Sequence, residues 1–305
     1  MPAGSAAPSI PPWTAEAMDW ERDLPTWPLN HLSRRITHRA HRWHVQETGT
    51  GDTLLLLHGA GASTHTWRDI IPILARSHHV IALDLPGQGF TQVTSRGRHG
   101  LQAMARDIDA LCKMQNWAPS AIIGHSAGAA VALEMSRLAE DQTASPPAVI
   151  GINPALERFD GMAGWLFPLL AKLLALNPFS SYLFAAGRNS RTRARRLIER
   201  TGSHLSDEGI DYYARLISDR DHVEGALQMM AQWQIDGLLD RLSSLSTRCL
   251  FIVGDKDGAV KPETSETAAS RIAQAEVVHF VDLGHLAHEE RPDDVTQTID
   301  AWLNR

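Results

Sequence analysis

"AIIGHSAGAAVALEM", residues 121–135, passes from an apolar run through Gly-His-Ser-Ala-Gly into a helix-like sequence, and its reading decides the fold. A structural explanation exists, because Ser is a good helix N-cap and Gly suits tight turns. The symmetric placement of Gly124 and Gly128 about Ser126 asks for something more specific. A nucleophile elbow, G-x-S-x-G, holds its serine in strained backbone at a strand-to-helix turn, where side chains at the flanking positions would strike the neighbouring strand and helix. The pattern also occurs by chance, so the rest of the chain must support it.

It does so on both sides. From about residue 53 onward apolar strand-like runs alternate with helical patterns, which predicts an α/β fold: a mostly parallel sheet with helices on both faces. "TLLLLHG", "HVIALDLPG", "AIIGHS", "AVIGINP", "CLFIVGDKD" and "EVVHFVDLGH" are six candidate core strands, apolar enough to be buried on both faces. "SRRITHRAHRWHVQETG" alternates instead and reads as an antiparallel hairpin at one edge, giving eight strands in all. From Asn153 to Cys249 there are helical patterns but no convincing strand, too long a stretch for an ordinary crossover. The expected organisation is therefore an N-terminal arm (1–30), a core (31–155 and 234–305) and an inserted helical cap (156–233) over the carboxyl edge of the sheet.

A serine hydroxyl is a weak nucleophile, so acyl transfer needs a histidine to take its proton and a carboxylate to orient that histidine. Asp257 in "GDKDGAV" and His285 after "VVHFVDLG" follow later strands, and the order Ser, Asp, His is that of the α/β-hydrolase arrangement. Asp255 competes for the acid, but Asp257 lies further past its strand, where a loop carboxylate can turn towards histidine. His288 competes for the base, and the remaining thirteen of the 15 histidines read as surface or packing residues. The oxyanion donors expected are the backbone amides of Ala127, directly after the nucleophile, and Ala60 in "LLLLHGAGAS". "HLAHEE" lacks the H-E-x-x-H order of a zinc helix, so neither a metal nor a cofactor is expected.

Composition excludes other classes. The 305 residues carry a net charge of -6, which argues against a general nucleic-acid binder. Cys112 and Cys249 sit in apolar settings and read as buried thiols in a reducing compartment, and the N-terminus lacks the pattern of a signal peptide, so a cytoplasmic protein is expected. Trp13, Trp20 and Trp27 are candidate anchors for an extended arm. In the cap, "GWLFPLLAKLLALNPF" (164–179) is apolar nearly all round but interrupted by prolines and shorter than the roughly twenty residues of a membrane span. It is read first as cap packing, with lining of an apolar pocket or peripheral membrane contact as the minority readings; Trp165 and Phe167 within it, and Met229 further along the cap, are the candidate substrate contacts. "RNSRTRARRLIER" (188–200) reads as a solvated helix face.

"WHVQETG", "HGAGASTHTWRD", "DLPGQGFT", "GHSAGAA", "GINPAL", "TGSHLSDEGIDYY", "MMAQW" and "GHLAHEERP" together resemble the α/β-hydrolases encoded with bacteriochlorophyll biosynthesis genes, the BchO group described as magnesium-chelatase accessory proteins. The resemblance spans about residue 27 to the end. It implies a cap-bearing hydrolase fold with Ser126, Asp257 and His285 at the triad positions, and a role near magnesium insertion into protoporphyrin IX. The group more often has His where this chain has Gln88, a departure expected to matter little. Two functions follow: a serine hydrolase acting on an ester-like bond in an apolar, tetrapyrrole-related substrate, or a noncatalytic accessory protein that binds a porphyrin or a magnesium-chelatase subunit.

Overall fold

The computed structural model describes residues 17–95, 97–140, 145–158 and 189–305. One sheet contains β1 (Ser33–His38), β2 (His41–Gly49), β3 (Thr53–Leu57), β4 (His79–Leu83), β5 (Gln92–Val93), β6 (Pro119–His125), β7 (Ala148–Ile152), β8 (Cys249–Gly254) and β9 (Ala275–Phe280). Eight strands run in the order β1-β2-β4-β3-β6-β7-β8-β9, as many as the sequence predicts. The ninth, β5, pairs with β2 off this path, and its two residues are too few to show any periodicity. The β1–β2 hairpin is antiparallel and β2 lies antiparallel against β4, whereas every pairing from β4 through β9 is parallel.

The described helices are α1 (Trp20–Asp23), α2 (Ile71–Leu74), α3 (Leu101–Gln115), α4 (Ala127–Glu140), α5 (Ser190–Arg200), α6 (Asp207–Ile217), α7 (Arg220–Ala231), α8 (Asp236–Leu239), α9 (Pro262–Ala269), α10 (Ala287–Glu290) and α11 (Pro292–Leu303). The period-2 geometry of a strand explains why the core strands read as unbroken apolar runs. In β3, Leu55 and Leu57 join Leu101, Met104, Ile108 and Val131 of α3 and α4 in one cluster. Leu54 and Leu56 point the other way, into a cluster with Ile71 and Leu74 of α2 and Val295, Ile299 and Trp302 of α11. Each face of the sheet thus has its own core.

Between β7 and β8 the described residues form α5 to α8 and no strand. Two of them have side-chain caps at their starts: the Ser206 side chain caps α6 by accepting from Gly209 N, Asp207 and Glu208 follow in its first turn, and Asp219 caps α7 through His222 N at 2.7 Å. These helices touch loops at the carboxyl ends of the strands. His222 meets Gly61 after β3 and Gly89 after β4, Tyr213 meets Glu289 after β9, and Thr201 meets Gly258 after β8.

The extended N-terminal arm anticipated is, from Trp20 on, a series of short helical turns, because the Asp19 side chain accepts from Glu21 N and Arg22 N and starts one. Trp27 packs edge-on against Phe90 and Tyr212, and Asp23 forms a buried ion pair with Arg215 at 2.7 Å. Trp13 lies outside the described residues. Cys112 and Cys249 are buried free thiols, and burial pushes both up to about 12. No helix among the described residues is long and apolar enough to cross a membrane, and residues 164–179 lie outside them.

Candidate active site

Ser126 stands between the last residue of β6 and the first of α4 with φ at +51°, a left-handed conformation that costs a serine on the order of 1 kcal/mol or more. The surroundings hold it there. Its N–H donates to Ile152 O at 2.9 Å, and its carbonyl accepts from Ala129 N and Ala155 N at 3.1 Å each. The flanking glycines are sterically required: a Cβ on Gly124 would run into the backbone of Gly128 and Ala129, and one on Gly128 into the Leu57 and His58 carbonyl oxygens.

In the loop after β9, His285 Nδ1 lies 2.7 Å from Asp257 Oδ2, and the two residues are 8% and 9% exposed. The carboxylate accepts, so Nδ1 carries a proton, and the neutral form of the ring is the tautomer with its lone pair on Nε2. Asp257 Oδ1 accepts from Ala259 N at 2.7 Å and Val260 N at 2.8 Å, which fixes the carboxylate for the imidazole. Asp255 points elsewhere, pairing with His279 at 2.7 Å in a partly exposed position. His288 is fully buried against Thr66 at 2.7 Å, and burial first, then the neighbouring charges of His285 and Arg68, push it down to about 3.

Backbone contacts converge on His285. The Thr201 carbonyl accepts from His285 N at 3.1 Å and from Gly258 N at 3.0 Å, so one oxygen of the α5–α6 connection ties the Asp257 loop to the His285 loop. Asn153 Nδ2 donates to the carbonyls of Gly284 and His285 at 3.0 and 2.8 Å while its Oδ1 accepts from Gly254 N at 2.8 Å. His125, the residue before Ser126, shares a 2.9 Å contact between its Nε2 and His285 O. None of these supports announces itself as such in the sequence, although "GINP" at the end of a core strand marks Asn153.

The loop 59–62 passes beside the serine: a Cβ on Gly59 would lie 3.1 Å from Ser126 Cβ. His58 Nε2 accepts from Leu85 N at 2.8 Å, leaving the proton on Nδ1 to donate to Gly59 O at 2.7 Å. Burial pushes this histidine down to about 4, so it is neutral at pH 7. Gly59 O also accepts from Ala62 N at 3.2 Å. A trans peptide aims its N–H opposite its C=O, so fixing the Gly59 carbonyl fixes the direction of the Ala60 N–H. Ala60 is exposed, and Ala127 N is the first amide of α4, an end where amides have no intrahelical acceptor.

Of the substrate contacts expected in the cap, Trp165 and Phe167 lie outside the described residues. Met229 is 1% exposed, and its sulfur accepts from Gln88 Nε2 at 3.2 Å. The expectation that Gln88 matters little is at odds with its setting: it is fully buried, and its Oε1 accepts from Gly61 N at 2.6 Å. Among the described residues no group of three or more His, Cys, Asp or Glu could hold a metal ion.

The comparisons with known proteins fit this geometry. Residues 52–292 match the family model described as the alpha/beta hydrolase fold. The chain is 41% identical over 285 residues to the magnesium-chelatase 30 kDa subunit of Rhodobacter capsulatus, covering 92% of this chain and 98% of that protein. It is 26% identical over 296 residues to a soluble epoxide hydrolase of Corynebacterium sp. strain C12, covering 88% and 97%. Among solved structures, a malate-bound thermophilic esterase from Thermogutta terrifontis superposes with a TM-score of 0.72 at 27% identity, covering 89% of this chain and 98% of that one. The chain therefore belongs to the α/β-hydrolase family and, within it, resembles the BchO group to which the magnesium-chelatase 30 kDa subunit points.

Proposed function

We propose that this protein is a serine hydrolase that cleaves an ester-like bond in an apolar substrate, in the cytoplasm and in connection with bacteriochlorophyll synthesis. The observation that carries the reading is the ordered pair of Asp257 Oδ2 and His285 Nδ1 at 2.7 Å, in a fold that presents Ser126 on a strained elbow beside the Gly59–Ala60 peptide. In this reading His285 Nε2 takes the Ser126 hydroxyl proton as Oγ attacks the acyl carbon, and Asp257 stabilises the imidazolium. The amides of Ala60 and Ala127 bind the oxyanion. The imidazolium returns its proton to the leaving alcohol, and water, deprotonated by the same nitrogen, then releases the acid from the acyl-enzyme.

Residues 156–233 act in this reading as a cap over the carboxyl edge, with Trp165, Phe167 and Met229 selecting bulky apolar groups. The contacts of α5 to α7 with the loops after β3, β4, β8 and β9 support that placement. The test is hydrolysis of p-nitrophenyl esters of increasing acyl length by the wild type and Ser126→Ala. Turnover that rises with chain length and disappears in the variant is expected; equal turnover in both would remove the serine from the mechanism.

A second reading rests on the name of the Rhodobacter capsulatus relative, a chelatase subunit. The protein would then bind a porphyrin or a magnesium-chelatase subunit without catalysis. Restoration of pigment synthesis in a deletion strain by Ser126→Ala would favour it.

A further inference from the structure

The oxyanion loop is gripped from both sides by residues outside the triad. On one side Gly61 N donates to Gln88 Oε1 at 2.6 Å. On the other, His222 Nδ1 accepts from Gly89 N at 3.0 Å, so its Nε2 carries the proton and donates to Gly61 O at 3.2 Å. Gly61 itself has φ at +79°, a conformation that needs such external definition in a residue free to leave it. Gln88 is in turn aimed by Met229, whose sulfur accepts from Nε2, and both His222 and Met229 belong to α7. The path runs from an inserted helix to the Ala60–Gly61 peptide in two hydrogen-bonded steps.

We propose that Gln88 and His222 are positioning residues that set the oxyanion loop: Gln88 withdraws the Gly61 N–H from the pocket, His222 holds the Gly61 carbonyl, and the Ala60 N–H is left as the loop's oxyanion donor. The inference rests on the hydrolase reading above. Its physical core is that two consecutive peptide planes, 60–61 through its N–H and 61–62 through its C=O, are each fixed by a buried side chain. Rotation of the 60–61 plane would swing the adjoining Gly59–Ala60 plane, the 61–62 plane acts on it through 60–61, and a donor displaced by about 1 Å loses on the order of a hundredfold in rate. A neutral His222 suits this role, since burial keeps it at about 4 and the single proton on Nε2 is the one the contact uses.

The experiment uses full-length Gln88→Met, which keeps the length of the side chain and removes its amide oxygen, and Gln88→His, whose ring nitrogen can accept the same N–H. Amide exchange of Gly61 by NMR and kcat and KM for p-nitrophenyl butyrate are the readouts. Gln88→Met should exchange Gly61 at least about tenfold faster and lose about ten- to a hundredfold in kcat with KM within about twofold, and Gln88→His should recover both. A folded Gln88→Met with Gly61 exchange and kcat both at wild-type level overturns the proposal. If the wild type hydrolyses no ester, the hydrolase reading has failed by itself, and Gly61 exchange alone decides whether Gln88 sets the loop. Should Gln88→Met not fold, His222→Asn probes the opposite face with the same readouts, the same expected direction, and the same overturning result.

Discussion

Acidification from pH 7 to pH 5 should destabilise this protein steeply, because its loops around Ser126 are built on buried neutral histidines. Burial is the leading cause in each case: it pushes His58 and His222 to about 4 and His288 to about 3. An unfolded histidine titrates near 6.5, so between the folded and unfolded values the unfolded chain binds more protons and stability falls with falling pH. Integrated over pH 7 to 5, each of the three costs about 2 kcal/mol, or roughly 6 kcal/mol together, a large share of the 5–15 kcal/mol typical of a domain. His65 and His125, also held well below the usual histidine range by burial, act in the same direction. Carboxylates enter later. Asp84, which burial alone would raise but which His44, His58 and Thr64 N bring down to about 2, withdraws its stabilisation only below about pH 4, and the raised Asp219 and Asp221 act in the opposite sense. The assay is urea unfolding followed by fluorescence of the nine tryptophans at constant ionic strength. A midpoint that falls sharply between pH 6.5 and 5 is expected; one that is flat or rises over that interval refutes the neutral-histidine argument.

Other outcomes follow from single contacts. Gly128→Ala should lower stability by about 1–3 kcal/mol, read as a drop in Tm, because the new methyl meets the Leu57 and His58 carbonyls and cannot be accommodated by a side-chain rotation. Gly202→Ala should reduce ester hydrolysis at least about tenfold in a protein that still folds, since Gly202 has φ at +80° and a Cβ there would strike Lys256 O, displacing the neighbouring Thr201 carbonyl shared by Gly258 and His285. Asp257→Asn should cost about 10³–10⁴ in kcat by turning an amide N–H towards His285 Nδ1, whereas Asp255→Asn, at the partly exposed His279 pair, should leave kcat within about twofold. Ester hydrolysis should be unchanged by EDTA, measured after dialysis against the chelator.

The sheet was legible because burial on both faces writes itself as unbroken apolar runs: "TLLLL" sends Leu54 and Leu56 to one core and Leu55 and Leu57 to the other. The placement of Ser126, Asp257 and His285 after core strands, and the meeting of Asp257 rather than Asp255 with His285, was legible because loops at strand ends gather at one edge of such a sheet. The supports of the site were not. Gln88, His222, Asn153 and Thr201 act by hydrogen-bonding backbone groups more than sixty residues away in most cases, as with Asn153 and Gly284, and no local period encodes such a contact. Buried histidines were underread for the same reason: His58 and His222 look like packing residues until their two nitrogens are assigned partners. The N-terminal turns escaped because a helix of four residues, Trp20–Asp23, depends on its Asp19 cap and on tertiary anchors such as Trp27 more than on any amphipathic pattern.

The central claim is that Ser126 is an activated nucleophile, and covalent labelling tests it most directly. The wild-type protein is incubated with a fluorophosphonate, which phosphonylates a serine whose hydroxyl is deprotonated by a neighbouring base, and the adduct is located by peptide mass spectrometry. The account predicts stoichiometric modification on the peptide containing Ser126, none in Ser126→Ala, and labelling slowed by at least about a hundredfold in His285→Ala. Absence of labelling in the folded wild type, or labelling undiminished in Ser126→Ala, would contradict it.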